Sequence, residues 1–241
     1  MNRGAAAAAP AEGPFWWRRD VRPGVTVAFT HAGAGNLAFH VGGDDDGVRR
    51  HRDALAAAAG VPSFQYMSQV HGSETVWAGE DPAPTADALL SRGEPLAVMV
   101  ADCVPVVLVG EFDDGRPALA AVHAGRPGLV AGVVPEAVAR LREAGARGLE
   151  AWLGPSICGR CYEVPAQMRD EVEAAVPGTA TATGWGTPAL DLPAGVRDQL
   201  ARADVAVHRE AEACTYEHEE LFSHRRAPGV GRIAGLVWTH A

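Results

Sequence analysis

The sequence predicts a single α/β domain, in the broad sense of that class that includes α+β arrangements. Three observations carry this prediction. Short apolar segments rich in valine alternate along the chain with segments whose apolar residues recur at helical spacing. Glycine-containing loops stand between strands and the helices that follow them. No internal repeat and no linker divides the 241 residues, which are enough to bury one large core.

The first half of the chain combines one predicted helix with several short strands. Acidic residues at Asp44–Asp46 suit the positive end of a helix, and Gly60 ends it. Val48, Leu55 and Ala58 then share its apolar face. The strands predicted around this helix, in chain order, are Gly24–Thr30, Ser63–Val70, Glu74–Ala78 and the apolar element Ala86–Leu90.

The longest apolar run lies in the centre of the chain. Pro105 is inside this run and cannot donate a hydrogen bond within a central strand. We therefore expect a bend at Asp102-Cys103. The strands on either side of the bend are predicted as Leu96–Ala101 and Val106–Val109.

A hairpin is predicted directly after this run. Glu111–Gly115 has the residues of a hairpin turn, and Ala118–Val122 then returns as a strand that ends at His123. Because a hairpin places its two strands side by side, we expect Cys103 and His123 to lie close together in space.

The second half of the chain alternates helices and strands. A helix follows the glycine loop after His123, with apolar residues at helical spacing from Leu129 to Leu141 and Pro135 near its start. A loop of this kind can bind an anion through its free N–H groups. The later helices are predicted as Pro165–Val176 and Pro193–Ala203, and the later strands as Leu149–Leu153, Val205–His208 and Ile233–Trp238.

Composition excludes several classes of function. The formal net charge of −9 and the pI near 5.4 argue against a general nucleic-acid or anionic-membrane binder. No apolar run is long enough for a membrane-spanning helix. The chain contains no lysine, which excludes Schiff-base chemistry and a phosphate-loop lysine. An anionic substrate must therefore be held by arginine, by backbone N–H groups or by a metal.

The N-terminus only faintly resembles a signal peptide, because its apolar part is five alanines ended by Pro10. We expect residues 1–14 to form a disordered tail, residues 15–241 to form the domain, and the protein to be cytoplasmic. The four cysteines are too few for a disulfide scaffold, so reduced thiols are expected. Cys158 and Cys161 are interpreted as ordinary cysteines in a turn, because no second close pair of metal ligands is near them in the sequence.

His71, Cys103 and His123 are the candidate site. Each follows a predicted strand, and together they supply three ligands suited to zinc, with a fourth position open for water or substrate. Zinc at such a site would activate a water molecule for hydrolytic deamination. A Cys103 thiolate activated by His123 is a second interpretation. A third is that all three residues are only core or surface residues, and the residue types alone leave these alternatives open.

A series of short motifs occurs in an order that resembles one family over nearly the full chain, from about Thr26 to Trp238. The family is the YfiH-type family, long labelled laccase-domain or polyphenol oxidase and now described as purine nucleoside phosphorylases. The motifs that carry the resemblance are Gln69–Gly72, Ala86–Ala88, Ala101–Pro105, Val122–Gly125, Gly154–Ile157 with Cys161–Val164, Asp191-Leu192, Cys214-Thr215, and Phe222–Arg226 with Gly231-Arg232.

The resemblance implies a single domain of mixed β-sheets flanked by helices, with one zinc ion bound by His71, Cys103 and His123 as catalytic residues. It implies phosphorolysis of adenosine, inosine, guanosine and S-methyl-5′-thioadenosine, with adenosine deamination as a further activity. Purine nucleosides and phosphate are then the partners. The candidate substrate-binding residues are Asn36, Gln69, Arg225 and Arg226, of which either arginine could hold phosphate.

Two positions depart from the family pattern. The family has His-Ala-Gly-Trp-Arg-Gly where this chain has His123–Gly128, so Pro127 stands in place of an arginine. Whether the neighbouring Arg126 replaces that arginine is left open by the sequence. The loop Thr30–Gly35 is shorter than in the family and also lacks an arginine. Both changes remove positive charge near the expected pocket.

Two alternatives to the phosphorylase interpretation remain. A copper phenol oxidase normally needs His-x-His pairs, and none occurs among the nine histidines. A non-enzymatic accessory factor in the editing of peptidoglycan precursors, as some relatives are described, is favoured only by the loss of charge noted above.

Overall fold

The structure is a computed structural model, and it describes residues 13–240. Most of the predicted N-terminal tail, residues 1–12, lies outside this range. The helices are α1 (Asp45–Ala59), α2 (Arg126–Val130), α3 (Val133–Glu143), α4 (Ala166–Ala175) and α5 (Leu192–Arg202). The strands are β1 (Phe15–Arg22), β2 (Val25–Thr30), β3 (Thr75–Trp77), β4 (Ala88–Ser91), β5 (Leu96–Val100), β6 (Val104–Glu111), β7 (Pro117–Ala124), β8 (Arg147–Leu153), β9 (Ala180–Ala182), β10 (Pro188–Leu190), β11 (Ala206–His208) and β12 (Ile233–Thr239).

Two stacked sheets form the centre of the protein. The first is antiparallel, with strand order β1-β2-β12-β5, and the second is mixed, with order β11-β8-β6-β7-β4-β3. Helix α1 packs on the outer face of the first sheet. Helices α2 to α5 cover the outer face of the second. The expectation of mixed β-sheets flanked by helices is confirmed.

Each sheet is buried on both faces, which explains the continuous apolar runs in the sequence. Along β6, Val106 and Leu108 point into the core shared with the helices. Val107 and Val109, which alternate with them, point into the core between the sheets. All four side chains are fully buried. A strand with apolar neighbours on both faces carries no polar alternation, as strands in sandwiched sheets generally show.

Helix α1 has the boundaries that the sequence predicts. The Asp44 carboxylate caps its N-terminus by accepting the N–H of Gly47 at 2.9 Å, and Gly60 ends it in the left-handed conformation at φ 75°. The buried face contains Leu55, Ala56 and Ala59. Ala58 is exposed, so its placement on the apolar face was wrong by one residue.

Two segments of the first half differ from prediction. The strand β1 was not predicted, although its aromatic residues pack in the core. The segment 63–70 is not a strand, because it contacts two different partners at single points. Gln65 pairs with Leu96 and Ser68 with Thr85, so no continuous ladder forms.

The single helix predicted after His123 is two helices. Gly132, with φ 82°, separates α2 from α3 and begins the second helix. Pro135 then lies in the first turn of α3, where its missing N–H costs no hydrogen bond. No helix within residues 13–240 is long and apolar enough to cross a membrane.

The chain crosses from the first sheet to the second at Asp102-Cys103. The bend was predicted, but β5 and β6 turn out to belong to different sheets. Asp102 makes the crossing with φ 85°, a left-handed value that is uncommon for a residue with a side chain. The predicted hairpin also forms, and Pro105 pairs directly with His123. Cys103 therefore lies beside the end of β7.

Candidate metal centre

The three residues singled out in the sequence meet at this crossing. Sγ of Cys103 lies 3.7 Å from Nε2 of His71. The ligand atoms of His71, Cys103 and His123 all lie within 4.8 Å of one another. His123 is buried, Cys103 is partly buried and His71 is exposed. Solvent can therefore reach the group from the side of His71, whereas the protein interior covers His123.

A fourth residue, Asp87, holds the two histidines in place. Its fully buried carboxylate accepts a hydrogen bond from Nδ1–H of His123 at 2.8 Å. The same carboxylate accepts the backbone N–H groups of His71 at 2.9 Å and Gly72 at 2.7 Å. Because Nδ1 of His123 is engaged, its Nε2 is the nitrogen left for a ligand. A carboxylate behind a ligating histidine is the usual way in which proteins orient metal ligands.

The turn that carries His71 is strained and is held by these hydrogen bonds. His71 has φ 61°, which costs a non-glycine residue about 1–3 kcal/mol. Hydrogen bonds to a charged group contribute about 1.5–3 kcal/mol each, so the bonds to Asp87 offset this strain. The strain is therefore local to the site and is balanced by one carboxylate.

The electrostatics favour a thiolate at Cys103. Burial alone would raise the pKa of Cys103, but His123 and His71 together lower it to about 6. Burial alone would lower the pKa of His123, but the Cys103 and Asp87 charges raise it to about 9. For Asp87, burial raises the pKa, and the hydrogen bonds from His123 and the backbone bring it below its ordinary value. A thiolate is the form that both a metal ligand and a nucleophile require.

The geometry fits a zinc ion. In tetrahedral zinc sites, sulfur and nitrogen ligands lie about 3.6 Å apart, given the usual bond lengths. The 3.7 Å between Cys103 Sγ and His71 Nε2 is close to this value. Three protein ligands with an open fourth side are what catalytic zinc sites have. The residues present therefore fit the metal that the family resemblance implies.

The glycines after His123 allow close packing against the site. A Cβ at Gly125 would lie 2.6 Å from Cδ2 of His71 and 3.2 Å from Sγ of Cys103. A Cβ at Gly128 would lie 2.7 Å from the carbonyl oxygen of Gly72. Helix α2, which contains Gly128, is one short turn. The glycine spacing is thus explained by the approach of α2 to the His71 turn.

A cavity of about 450 Å³ opens over the three ligands. This volume lies in the range of small-molecule binding sites. Its walls combine apolar residues with three arginines, although the protein as a whole is acidic. Beside the three ligands, the polar residues that line it include His40, Gln69, Asp102, Arg126, Tyr162, His224, Arg225 and Arg232.

Two of the four predicted substrate-binding residues line this cavity. Arg225 does so while it donates to the carbonyl of Glu163 at 2.8 Å and lies over the Tyr162 ring. Gln69 also lines it, and its side-chain amide exchanges two hydrogen bonds with the backbone of Met99. Gln69 thereby fixes the chain next to His71 to strand β5.

The other two predicted residues make structural contacts. Asn36 donates to the carbonyls of Ala38 and Val41 and accepts the N–H of Arg232 at 3.1 Å. The Arg226 guanidinium donates to four backbone carbonyls, those of Thr215, Tyr216, His218 and Leu221. Both side chains therefore stabilise loops through backbone contacts, and neither lines the cavity.

Several residues of the site were not assigned roles by sequence analysis. Asp87 was visible only as the centre of the Ala86–Ala88 motif. Asp102 is buried and accepts Thr215 Oγ1 and the N–H of Arg225, both at 2.6 Å. Arg126 lines the cavity beside Pro127, so a guanidinium is present although the expected arginine is absent. The long sequence separation of these partners hides them from pattern analysis.

The fold and the site define a class of α/β protein that is known from solved structures. The crystal structure of Neisseria meningitidis protein NMB0706 matches with a TM-score of 0.80 and 30% identity, over 95% of this chain and 100% of that one. A family model described as multi-copper polyphenol oxidoreductase laccase matches residues 22–240.

Named relatives specify the family further. Purine nucleoside phosphorylase SCO2081 of Streptomyces coelicolor is 44% identical over 92% of this chain and 98% of its own. Purine nucleoside phosphorylase YfiH of Escherichia coli is 36% identical over 84% of this chain and 85% of its own. The chain belongs to the YfiH-type purine nucleoside phosphorylase family, which carries the laccase-domain model.

Proposed function

We propose that the protein is a zinc-dependent purine nucleoside phosphorylase. Its substrates would be adenosine, inosine, guanosine and S-methyl-5′-thioadenosine, with deamination of adenosine as a second activity. The observation that carries this proposal is the cationic cavity of about 450 Å³ with His71, Cys103 and His123 at one side. The names of the relatives support the same reaction class.

His71, Cys103 and His123 would hold the zinc ion. When bound, zinc supplies a Lewis acid that lowers the pKa of a water molecule or polarises a substrate oxygen. Asp87 keeps Nδ1 of His123 engaged, so the ring presents Nε2 to the cavity. The His123–Asp87 contact is buried, which keeps bulk water from competing for it.

The arginines of the cavity suit the phosphate co-substrate. Arg126, Arg225 and Arg232 line one cavity, and the chain has no lysine to take their place. Guanidinium groups bind phosphate oxygens through paired hydrogen bonds. In the reaction, a phosphate oxygen forms a bond to C1′ of the ribose as the bond from C1′ to the purine nitrogen breaks. The purine leaves with the bonding electrons and takes up a proton.

Deamination of adenosine would use the same cavity. Water adds at C6 of the purine, and the amino group leaves as ammonia. Cys103 and His123 face the cavity with a lowered thiol pKa and a raised imidazole pKa, which arise from their mutual interaction. With zinc bound, however, the Cys103 thiolate and Nε2 of His123 would be metal ligands, so these residues would hold the ion and another group of the cavity would carry the proton.

A copper phenol oxidase is less well supported. Among residues 13–240 there are two groups of three or more candidate ligands, and only the His71 group contains histidine. Multicopper chemistry needs several histidine-rich sites. A cysteine hydrolase would use the same Cys103 thiolate without metal, and it predicts inactivation by thiol reagents after zinc has been removed.

The proposal is tested by measuring the products formed from inosine. Zinc-loaded protein should release hypoxanthine only when phosphate is present, together with an equal amount of ribose 1-phosphate. Adenosine should release adenine when phosphate is present. Without phosphate, adenosine should instead be deaminated to inosine. No turnover of any purine nucleoside by metal-replete protein would overturn the proposal. Stoichiometric copper with oxidation of phenols would favour the oxidase instead.

A further inference from the structure

A second group of metal-binding side chains lies outside the cavity. Cys158, Cys161, Cys214 and Glu217 each offer a ligand atom, and these atoms all lie within 4.8 Å of one another. The interpretation of Cys158 and Cys161 as ordinary cysteines assumed that no second pair of ligands was near. The structure supplies that pair from a segment more than fifty residues further along the chain.

The four residues form two matching turns. The carbonyl of Cys158 accepts the N–H groups of Cys161 and Tyr162, both at 3.0 Å. The carbonyl of Cys214 accepts the N–H groups of Glu217 and His218, both at 3.1 Å. Each turn therefore brings together two ligands that are three positions apart in the sequence. This spacing is the one that zinc knuckles use.

Contacts between the turns hold them face to face. The N–H of Cys158 donates to Sγ of Cys214 at 3.4 Å, and Sγ of Cys161 lies 3.5 Å from Oε1 of Glu217. The backbone is joined as well. Ser156 donates to the carbonyl of Ala213 at 3.0 Å, and Thr215 donates to the carbonyl of Ser156 at 3.1 Å. Backbone hydrogen bonds between the two segments thus hold the four ligands near one another, in addition to the side-chain contacts.

The ligand set selects zinc. Three thiolates with one carboxylate form a four-ligand site rich in sulfur, and zinc accepts both thiolate and carboxylate ligands. Zinc would draw the sulfurs to about 3.8 Å from one another, a contraction of up to about 1 Å from the present spread. Each thiol releases its proton on coordination. No open position then remains for substrate.

The surroundings suit the charge of such a site. Three thiolates and a carboxylate around Zn²⁺ leave an excess of negative charge. Arg160 lies 3.2 Å from Oε1 of Glu217, and it lines a neighbouring open cavity of about 270 Å³. Arg197 and Arg209 line the same cavity but already pair with Glu212, so Arg160 is the arginine that would offset this charge. The same cavity gives a metal ion a path to Cys158, which is partly exposed.

We propose that Cys158, Cys161, Cys214 and Glu217 bind a second zinc ion, with a structural role. Both turns are near residues that line the candidate cavity. Ile157 and Tyr162 flank the first turn, and Arg225 lies eight residues after Glu217 of the second. The ion would link the segment that contains Cys158 and Cys161 to the segment that contains Cys214 and Glu217. It would also support the contact of Thr215 with the buried Asp102, next to Cys103.

Metal content of purified variants tests this proposal. Protein prepared with zinc and a thiol reductant should contain two zinc ions per chain. Cys103→Ser should retain one ion, and so should the double variant Cys158→Ser/Cys161→Ser. Wild type with a single zinc that is lost completely in Cys103→Ser would overturn the proposal. A mass lower by two hydrogen atoms, showing a disulfide among Cys158, Cys161 and Cys214 in place of metal, would also overturn it.

Cobalt substitution and a milder variant keep the test decisive if the double variant fails to fold. In Cys103→Ser loaded with Co²⁺, the thiolate-to-cobalt absorption should correspond to three thiolates, all from the second site. In the same background, Glu217→Gln should weaken metal binding by at least about 10-fold. Glu219→Gln, an exposed neighbour outside the cluster, is the matched control and should leave binding unchanged. Equal affinities in the two variants would remove Glu217 from the site.

Discussion

Oδ1 of Asp87 lies 2.8 Å from Nδ1 of His123, and both groups are buried. The same carboxylate accepts N–H groups from the turn that carries His71. One side chain therefore sets the ring orientation of one candidate metal ligand and the backbone of another. We infer that Asp87 is the principal positioning residue of the centre.

Asp87→Asn should weaken zinc binding by about 10- to 100-fold, the usual effect of losing a carboxylate behind a ligating histidine. An amide has one oxygen to accept hydrogen bonds, and its NH₂ would face donors that now meet the carboxylate. Competition with a chromogenic chelator measures the affinity. Asp114→Asn is the control, because this exposed carboxylate pairs with Arg116 in the hairpin turn and contacts no residue of the metal centre. Unchanged zinc affinity in Asp87→Asn would contradict the positioning role.

Gly125→Ala should damage the metal centre directly. The added methyl group would lie 2.6 Å from Cδ2 of His71, so the imidazole must move. Overpacking of this kind costs about 1–3 kcal/mol, and the displaced ring should lower zinc affinity as well. Gly184→Ala is the matched control because nothing lies within 4 Å of its Cβ position. Calorimetry and zinc titration of both variants make the measurement, and equal behaviour would show that the approach of Gly125 to His71 is not tight.

Arg126→Gln should raise the KM for phosphate about 10-fold, which corresponds to the loss of one charge-assisted hydrogen bond. The KM for inosine should change little, because Arg126 is proposed to hold the anion. Steady-state kinetics with each substrate varied in turn separate the two effects. Arg50→Gln on helix α1, whose side chain pairs with Asp44 at the surface, serves as control. A change in the inosine KM alone would assign Arg126 to nucleoside binding.

Glu173→Gln should lower stability at neutral pH but not in acid. Backbone N–H groups of Gly178 and Ala180 hold the pKa of Glu173 below its ordinary value of 4.5. A carboxylate with a lowered pKa stabilises the fold above its ordinary pKa, and this contribution is lost as the pH falls through the lowered value. The Tm difference from wild type should therefore be constant above about pH 5 and shrink below it. Glu171→Gln on the same helix is the control, because the Glu171 carboxylate accepts a hydrogen bond from Gln167 and none from the backbone N–H groups that Glu173 binds.

Sequence patterns predicted the local parts of the site well. The proline inside the central run correctly indicated a bend at Asp102-Cys103, and the turn residues after it correctly indicated the hairpin. Together these local signals placed Cys103 beside His123. They did not indicate that β5 and β6 lie in different sheets, because a bend has the same sequence pattern whichever sheet the chain enters.

Contacts between distant segments were beyond the sequence patterns. Asp87 joins His71 and His123 across separations of 16 and 36 residues. Cys214 meets Cys158 across 56 residues. Single aspartates, cysteines and glutamates are common in loops, so only the fold shows which of them converge. The strand β1 was missed although its three aromatic residues favour a strand, because the charged residues at positions 18–20 interrupt the apolar alternation.

The most direct test of the proposed function compares wild type with Cys103→Ala, both supplied with excess zinc, in the phosphate-dependent release of hypoxanthine from inosine. Cys103 is the sulfur ligand of the candidate centre, and its removal should leave the two histidines without the geometry that fits zinc. We predict phosphate-dependent release by wild type and a loss of at least about 100-fold in the variant. Equal rates in the two proteins, or no release by either, would contradict the proposal that this centre catalyses phosphorolysis.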